Sequence, residues 1–123
     1  MSQIPEWMPV ISDLVLDPGT QSLTCLLRVP DDLPIFRGHF PAVPIVPGVI
    51  QVAWAVELAR SRGLANGPLV AISTAKFRRV LRPGMCLTAR VGRGAAAGQI
   101  QFTYELAGAV VSTGRFCCGS NHD

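Results

Sequence analysis

The stretch from Pro47 to Gly63 constrains the fold more than any other part of the chain. Pro47 and Gly48 open a helix and Gly63 closes it. Between them Val49, Ile50, Val52, Ala53, Trp54, Val56, Leu58 and Ala59 place apolar side chains almost all round the axis. A helix with so little polar surface must be wrapped by the rest of the chain. The flanking sequence offers strands for that purpose. Gln99, Gln101, Thr103 and Glu105 alternate with Ile100, Phe102, Tyr104 and Leu106, the period of a half-buried strand. Before it, beyond a glycine-bounded loop at 94–98, Leu87, Ala89 and Val91 alternate with Thr88 and Arg90. After the turn at Ala107-Gly108, Val110 to Cys118 is again β-branched and apolar. These three segments predict an antiparallel meander. Val10–Leu16 and Ser22–Val29 flank Asp17-Pro18-Gly19 as a first hairpin, and Leu69–Phe77 is a further strand before the turn at Arg82-Pro83-Gly84. The expected class is α+β: about five to seven antiparallel strands in a curved sheet around one long central helix.

The chain has 123 residues, the size of one domain, and the expected unit is 1–123 with its core at about 10–118 and a short tail at 119–123. Hydrophobic residues make up 49% and charged residues 15%, so an apolar exterior and self-association as a dimer or larger assembly are expected. The longest run free of charged residues and of histidine, Phe40 to Val56, contains Pro41, Pro44 and Pro47, which excludes a membrane-spanning helix there. No basic residue precedes Arg28, so neither a secretory signal nor a transit peptide is read, and the expected location is cytoplasmic. Cys25, Cys86, Cys117 and Cys118 lack metal-ligand spacing and are read as free thiols. A net charge of +3 without a basic stripe and interleaved aromatics argues against a nucleic-acid partner. Lys76, Arg78, Arg79 and Arg82 form a local basic cluster, either a solvated sheet edge or a docking site for an acidic partner.

Of the two histidines, His122 lies beside the C-terminus, which leaves His39 as the candidate catalyst. It stands in Phe36-Arg37-Gly38-His39-Phe40-Pro41, and Pro44 and Pro47-Gly48 stiffen the loop that carries it toward the helix. The pattern Gly38-His39-Phe40-Pro41-x-x-Pro44-Ile45-x-Pro47-Gly48-Val49 resembles the hallmark of the 3-hydroxyacyl-[acyl carrier protein] dehydratases of fatty-acid synthesis, members of the hot-dog fold. The similarity continues through Ala75-Lys76-Phe77-Arg78-Arg79 and Arg82-Pro83-Gly84 and covers about Val10 to Cys118.

The resemblance implies a helix wrapped by a curved antiparallel sheet, with dimers whose acyl tunnels lie at the subunit interface. It implies that His39 removes the C2 proton of a 3-hydroxyacyl thioester and that the N–H of Gly48 polarises the thioester carbonyl. Both roles are physically sound: a neutral imidazole is a usable base near neutrality, and a helix N-terminus offers unpaired amides. For Gly48 the competing reading is a glycine needed only for backbone shape.

The resemblance also implies an Asp or Glu fourteen positions after the histidine, to protonate the departing hydroxyl. Here that position is Ala53, which has no proton to give. Glu57, one turn further along the helix, is the candidate substitute, against a reading as a surface or interface carboxylate. Gln51 lies about 200° round the helix from Ala53 and is not expected to replace the acid. Phe36, Phe40, Pro47, Val49, Ala53 and Trp54 are the expected lining of the acyl site, although core packing explains Trp54 and the phenylalanines equally well.

Three functions are compatible with these residues. The first is a dehydratase acting on acyl thioesters delivered by acyl carrier protein, in fatty-acid or related specialised lipid synthesis. The second is a catalytically incomplete subunit that binds acyl carrier substrates or pairs with a complete dehydratase as a heteromeric partner. The third is a hot-dog thioesterase. No metal and no cofactor is expected beyond the phosphopantetheine arm of the substrate carrier.

Overall fold

The computed structural model describes residues 5–37 and 44–119. Six strands and one helix follow one another as β1 (Val10–Asp17), β2 (Ser22–Arg28), α1 (Gly48–Ser61), β3 (Leu69–Phe77), β4 (Cys86–Arg93), β5 (Gln99–Leu106) and β6 (Ala109–Cys118), with a short 3-10 turn at Pro34–Arg37. The strands form one antiparallel sheet in the order β1-β2-β4-β5-β6-β3. The first hairpin and the meander expected of β4–β6 are present.

Turn chemistry explains where the chain reverses. Asp17 Oδ1 accepts the N–H of Gly19 at 3.0 Å and that of Thr20 at 3.4 Å, a side chain standing in for a backbone turn. Between β5 and β6, Ala107 (φ 52°) and Gly108 (φ 85°) both adopt positive φ, the geometry that matches a tight hairpin to strand twist.

Period-two patterning puts Leu23, Cys25 and Leu27 of β2, Leu87, Ala89 and Val91 of β4, Ile100, Phe102 and Tyr104 of β5, and Phe116 of β6 on one buried face. Gly114 completes it: a Cβ there would lie 2.6 Å from Phe102 Cε2, so only glycine lets that ring cross β6. Helix α1 lays Val52, Trp54, Ala55, Val56, Leu58 and Ala59 into this core.

Two expectations need correction. The helix is not long: its 14 residues span about 21 Å, because Gly63, at φ 76°, ends it within one turn of Ser61. Nor does this chain wrap it on every side. The sheet covers one side only, leaving Val49 71% exposed and Ile50, Ala53 and Glu57 half-buried along one stripe. Strand β3, at the end of the sheet, is exposed at every residue, including Leu69, Val70, Ile72 and Phe77. Among the described residues no helix is long and apolar enough to cross a membrane, and no group of three or more potential metal ligands occurs.

Candidate functional site at the start of the helix

The helix begins without a side-chain cap. Pro47, at φ −61° and ψ 151°, is the last extended residue, and its carbonyl accepts the N–H groups of Ile50 (3.0 Å) and Gln51 (3.2 Å). Among the described residues nothing accepts the N–H of Gly48 or Val49. These are the first two amides of a helix, which carry its positive end. The segment leading to them is held at Val46, whose N–H donates to Leu81 C=O at 2.9 Å and whose C=O accepts Gln51 Nε2–H at 3.2 Å.

Gly48 is required here for space. A Cβ would sit 2.7 Å from Phe77 Cε2 and 2.8 Å from Cζ, so the ring of Phe77 lies directly against the helix start. Phe77 thereby joins the exposed edge strand to the helix start.

The expected site residues separate into three groups. Gly48, Pro47, Val49 and Ala53 gather at the helix start and along its half-exposed stripe, and Glu57 follows one turn later on the same stripe. Glu57 makes no ion pair among the described residues, and Ser61 Oγ donates instead to Leu58 C=O at 3.1 Å. Trp54 is fully buried with its ring N–H donating to Trp7 C=O at 2.9 Å, a core position away from the stripe. Phe36 is half-buried in the 3-10 turn and packs against the core. His39 and Phe40, with Gly38 and Pro41 of the motif, lie outside the described residues.

The basic cluster divides. Lys76 and Arg78 join Thr74, Gln101, Thr113 and Arg115 around a concavity of about 300 Å³, while Arg79 and Arg82 belong to the connection toward β4 and do not line it. Arg115 is close only because β3 pairs with β6, where Thr74 stands opposite Arg115. No local sequence signal could have placed it there.

The residue that sequence reasoning passed over is Gln51, which is 2% exposed. Besides the bond to Val46, its Oε1 accepts Ser112 Oγ–H at 2.5 Å, and its main-chain carbonyl accepts the Tyr104 hydroxyl at 2.7 Å. Burial pushes the Tyr104 hydroxyl well above the usual phenol range, with a smaller push from Cys25, so it stays a donor. A lone amide inside an apolar helix was the available signal; its partners, 53 and 61 residues away, had none.

The chain matches the ApeI-like family, described as ApeI dehydratase, over residues 16–115. The 3-hydroxyacyl-[acyl-carrier-protein] dehydratase FabZ of Rickettsia massiliae is 37% identical over 99 residues, covering 68% of each chain. FabZ of Levilactobacillus brevis is 37% identical over 98 residues, covering 72% of this chain and 66% of that one. Among solved structures, the dehydratase heterocomplex ApeI:P from Xenorhabdus doucetiae aligns with a TM-score of 0.76 at 27% identity, over 90% of this chain and 98% of that one. The PpsC dehydratase domain from Mycobacterium tuberculosis shares the fold, with a TM-score of 0.66 at 16% identity, over 94% of this chain and 46% of that one.

Proposed function

Because this chain belongs to the ApeI-like dehydratase family and is a 3-hydroxyacyl-[acyl carrier protein] dehydratase-like lyase, we propose that it eliminates water from acyl thioesters at the first turn of α1. In this reading His39 takes the C2 proton while the Gly48 N–H receives the thioester oxygen as it gains negative charge. The C3–O bond then breaks, the hydroxyl takes up a proton and leaves as water, and a 2-enoyl thioester remains. The observation that carries the proposal is the pair of helix-start amides at Gly48 and Val49, which have no acceptor among the described residues, set beside an apolar ring and a half-exposed stripe. No cofactor beyond the carrier's own phosphopantetheine enters the reaction.

The proton for the hydroxyl is the open step, since Ala53 carries none. We assign it to a partner subunit seated over β3 and the uncovered stripe of α1. Supporting this are the exposure of both features and the likeness to a dehydratase heterocomplex. The second reading gives the role to Glu57. Its backbone stands about 6 Å beyond Ala53 along the axis, where even a 1 Å misplacement costs about 10²-fold. A second copy of this chain on β3 would form a homo-oligomer but would bring Ala53 again rather than an acid.

The carrier, an acidic protein, docks in this proposal on Lys76 and Arg78 with Arg115 beside them, and with Arg79 and Arg82 further along the chain. Free thiols and carrier-borne substrates suit a cytoplasmic setting. Hydration of a short 2-enoyl pantetheine thioester tests the chemistry. Loss of activity in His39→Ala is expected, with Glu57→Gln within about threefold of the native rate. An unchanged rate in His39→Ala would refute the base, and a loss of 10²-fold or more in Glu57→Gln would move the acid into this chain.

A further inference from the structure

We propose that Gln51 is a positioning residue, whose buried side-chain amide fixes the backbone that presents the Gly48 N–H. The inference rests on the reading that this N–H meets the thioester oxygen. Val46 is 3% exposed and its carbonyl precedes the helix, so no helical amide reaches it: the N–H groups of Ile50 and Gln51 both go to Pro47 C=O. A buried carbonyl in that position needs a donor from a side chain. Gln51 supplies one from a turn above, at 3.2 Å.

Orientation then follows link by link. The bond from Gln51 holds the Val46–Pro47 peptide, and the proline ring holds φ at −61°. The bonds from Ile50 and Gln51 hold the Pro47 carbonyl, and a planar trans peptide points the Gly48 N–H the opposite way. Of these four constraints, the first alone is a side-chain hydrogen bond.

That side chain is itself held from the sheet. Ser112 of β6, fully buried, donates to its Oε1, and Tyr104 of β5 donates to its main-chain carbonyl. The amide cannot turn round without setting its oxygen against the Val46 carbonyl. An apolar residue would satisfy the core at this place with less desolvation; the amide is explained by the carbonyl it reaches.

The test compares Gln51→Met with Ser112→Ala. Gln51→Met removes two buried hydrogen bonds and Ser112→Ala only the one between Ser112 and Gln51, so that the first alone frees the Val46 carbonyl. For 2-enoyl pantetheine thioester hydration, Gln51→Met is expected to lower kcat by about 10- to 100-fold with KM within about threefold, and Ser112→Ala to stay within about threefold in kcat. Hydrogen exchange supplies a readout that needs no activity. The Ile50 amide, bonded to Pro47 C=O, should exchange at least about tenfold faster in Gln51→Met than in Ser112→Ala, while the Tyr104 amide of the sheet stays matched between them. Equal Ile50 protection in the two variants, or kcat falling in both in step with melting temperature, would overturn the proposal. A protein inactive both as the native chain and as Ala53→Glu would refute the proposed chemistry, and the exchange comparison would still decide whether Gln51 holds the loop. If Gln51→Met does not fold, Gln51→Asn, an amide drawn back from Val46 by one methylene, carries the same comparison.

Discussion

Gly48 and Phe77 make a reciprocal pair, a missing side chain on one element and an aromatic ring on another. Adding a methyl in Gly48→Ala forces the ring aside, and overpacking of this kind destabilises by about 1–3 kcal/mol. Urea unfolding should find that loss in Gly48→Ala and find most of it recovered in Gly48→Ala with Phe77→Leu, a non-additivity expected only of neighbours. Additive effects would mean that the two do not touch. Cys25 offers a second check at this scale. Burial raises its thiol from the ordinary 9.0 to about 11, partly offset by the Arg62 charge. A raised folded-state value means that the native protein holds the proton more tightly. Stability from this group is complete below pH 9 and is lost as pH rises from 9 toward 11. Cys25→Ser should flatten that decline in urea midpoints measured across the window. Part of the candidate site's layout was legible residue by residue: Gly48 falls at the first turn of α1 and Ala53 on its half-buried stripe. What was not legible is why Gly48 must be glycine, because Phe77 is 29 positions away and meets it only in three dimensions.

At the scale of elements, the helix is held by its buried face rather than by a cap, since Pro47 offers no side-chain acceptor. Trp54, fully buried and bonded to Trp7 C=O, ties that face to the N-terminal segment. Trp54→Ala should cost about 3–5 kcal/mol in urea unfolding. A loss under 1 kcal/mol would show that Trp54 is not the core residue described here. The strands were readable because a period of two survives wherever one sheet face is buried, as in Ile100, Phe102 and Tyr104. Strand β3 was readable from its β-branched, apolar run, but its place at the sheet's end was not. Sequence order sets β3 between α1 and β4, whereas its hydrogen bonds go to β6. The same pairing explains why Arg115 escaped notice beside Lys76 and Arg78: only a long-range register brings them to one concavity.

For the whole molecule, the uncovered stripe of α1 and the exposed strand β3 leave a face that one chain does not close. Edge strands of this apolar character recruit another chain. Val70→Lys with Ile72→Glu should therefore shift the protein toward monomer in light scattering, and an unchanged mass would place the interface elsewhere. Carrier docking belongs to this scale too. Lys76→Glu with Arg78→Glu should weaken turnover of carrier-bound substrate, more at low salt than at high, and leave a free pantetheine thioester unaffected. Equal losses on both substrates would exclude docking there. The central claim is that this chain carries the base and the oxyanion amide of a dehydratase without its acid. The most direct measurement is the initial rate of 2-enoyl pantetheine thioester hydration by Ala53→Glu beside the native chain, each purified alone. A gain of about 10²-fold or more in Ala53→Glu is the result expected of a complete scaffold given its missing group. A fast native rate that Ala53→Glu leaves unchanged or lowers would contradict it, because the acid would then already be present in this chain.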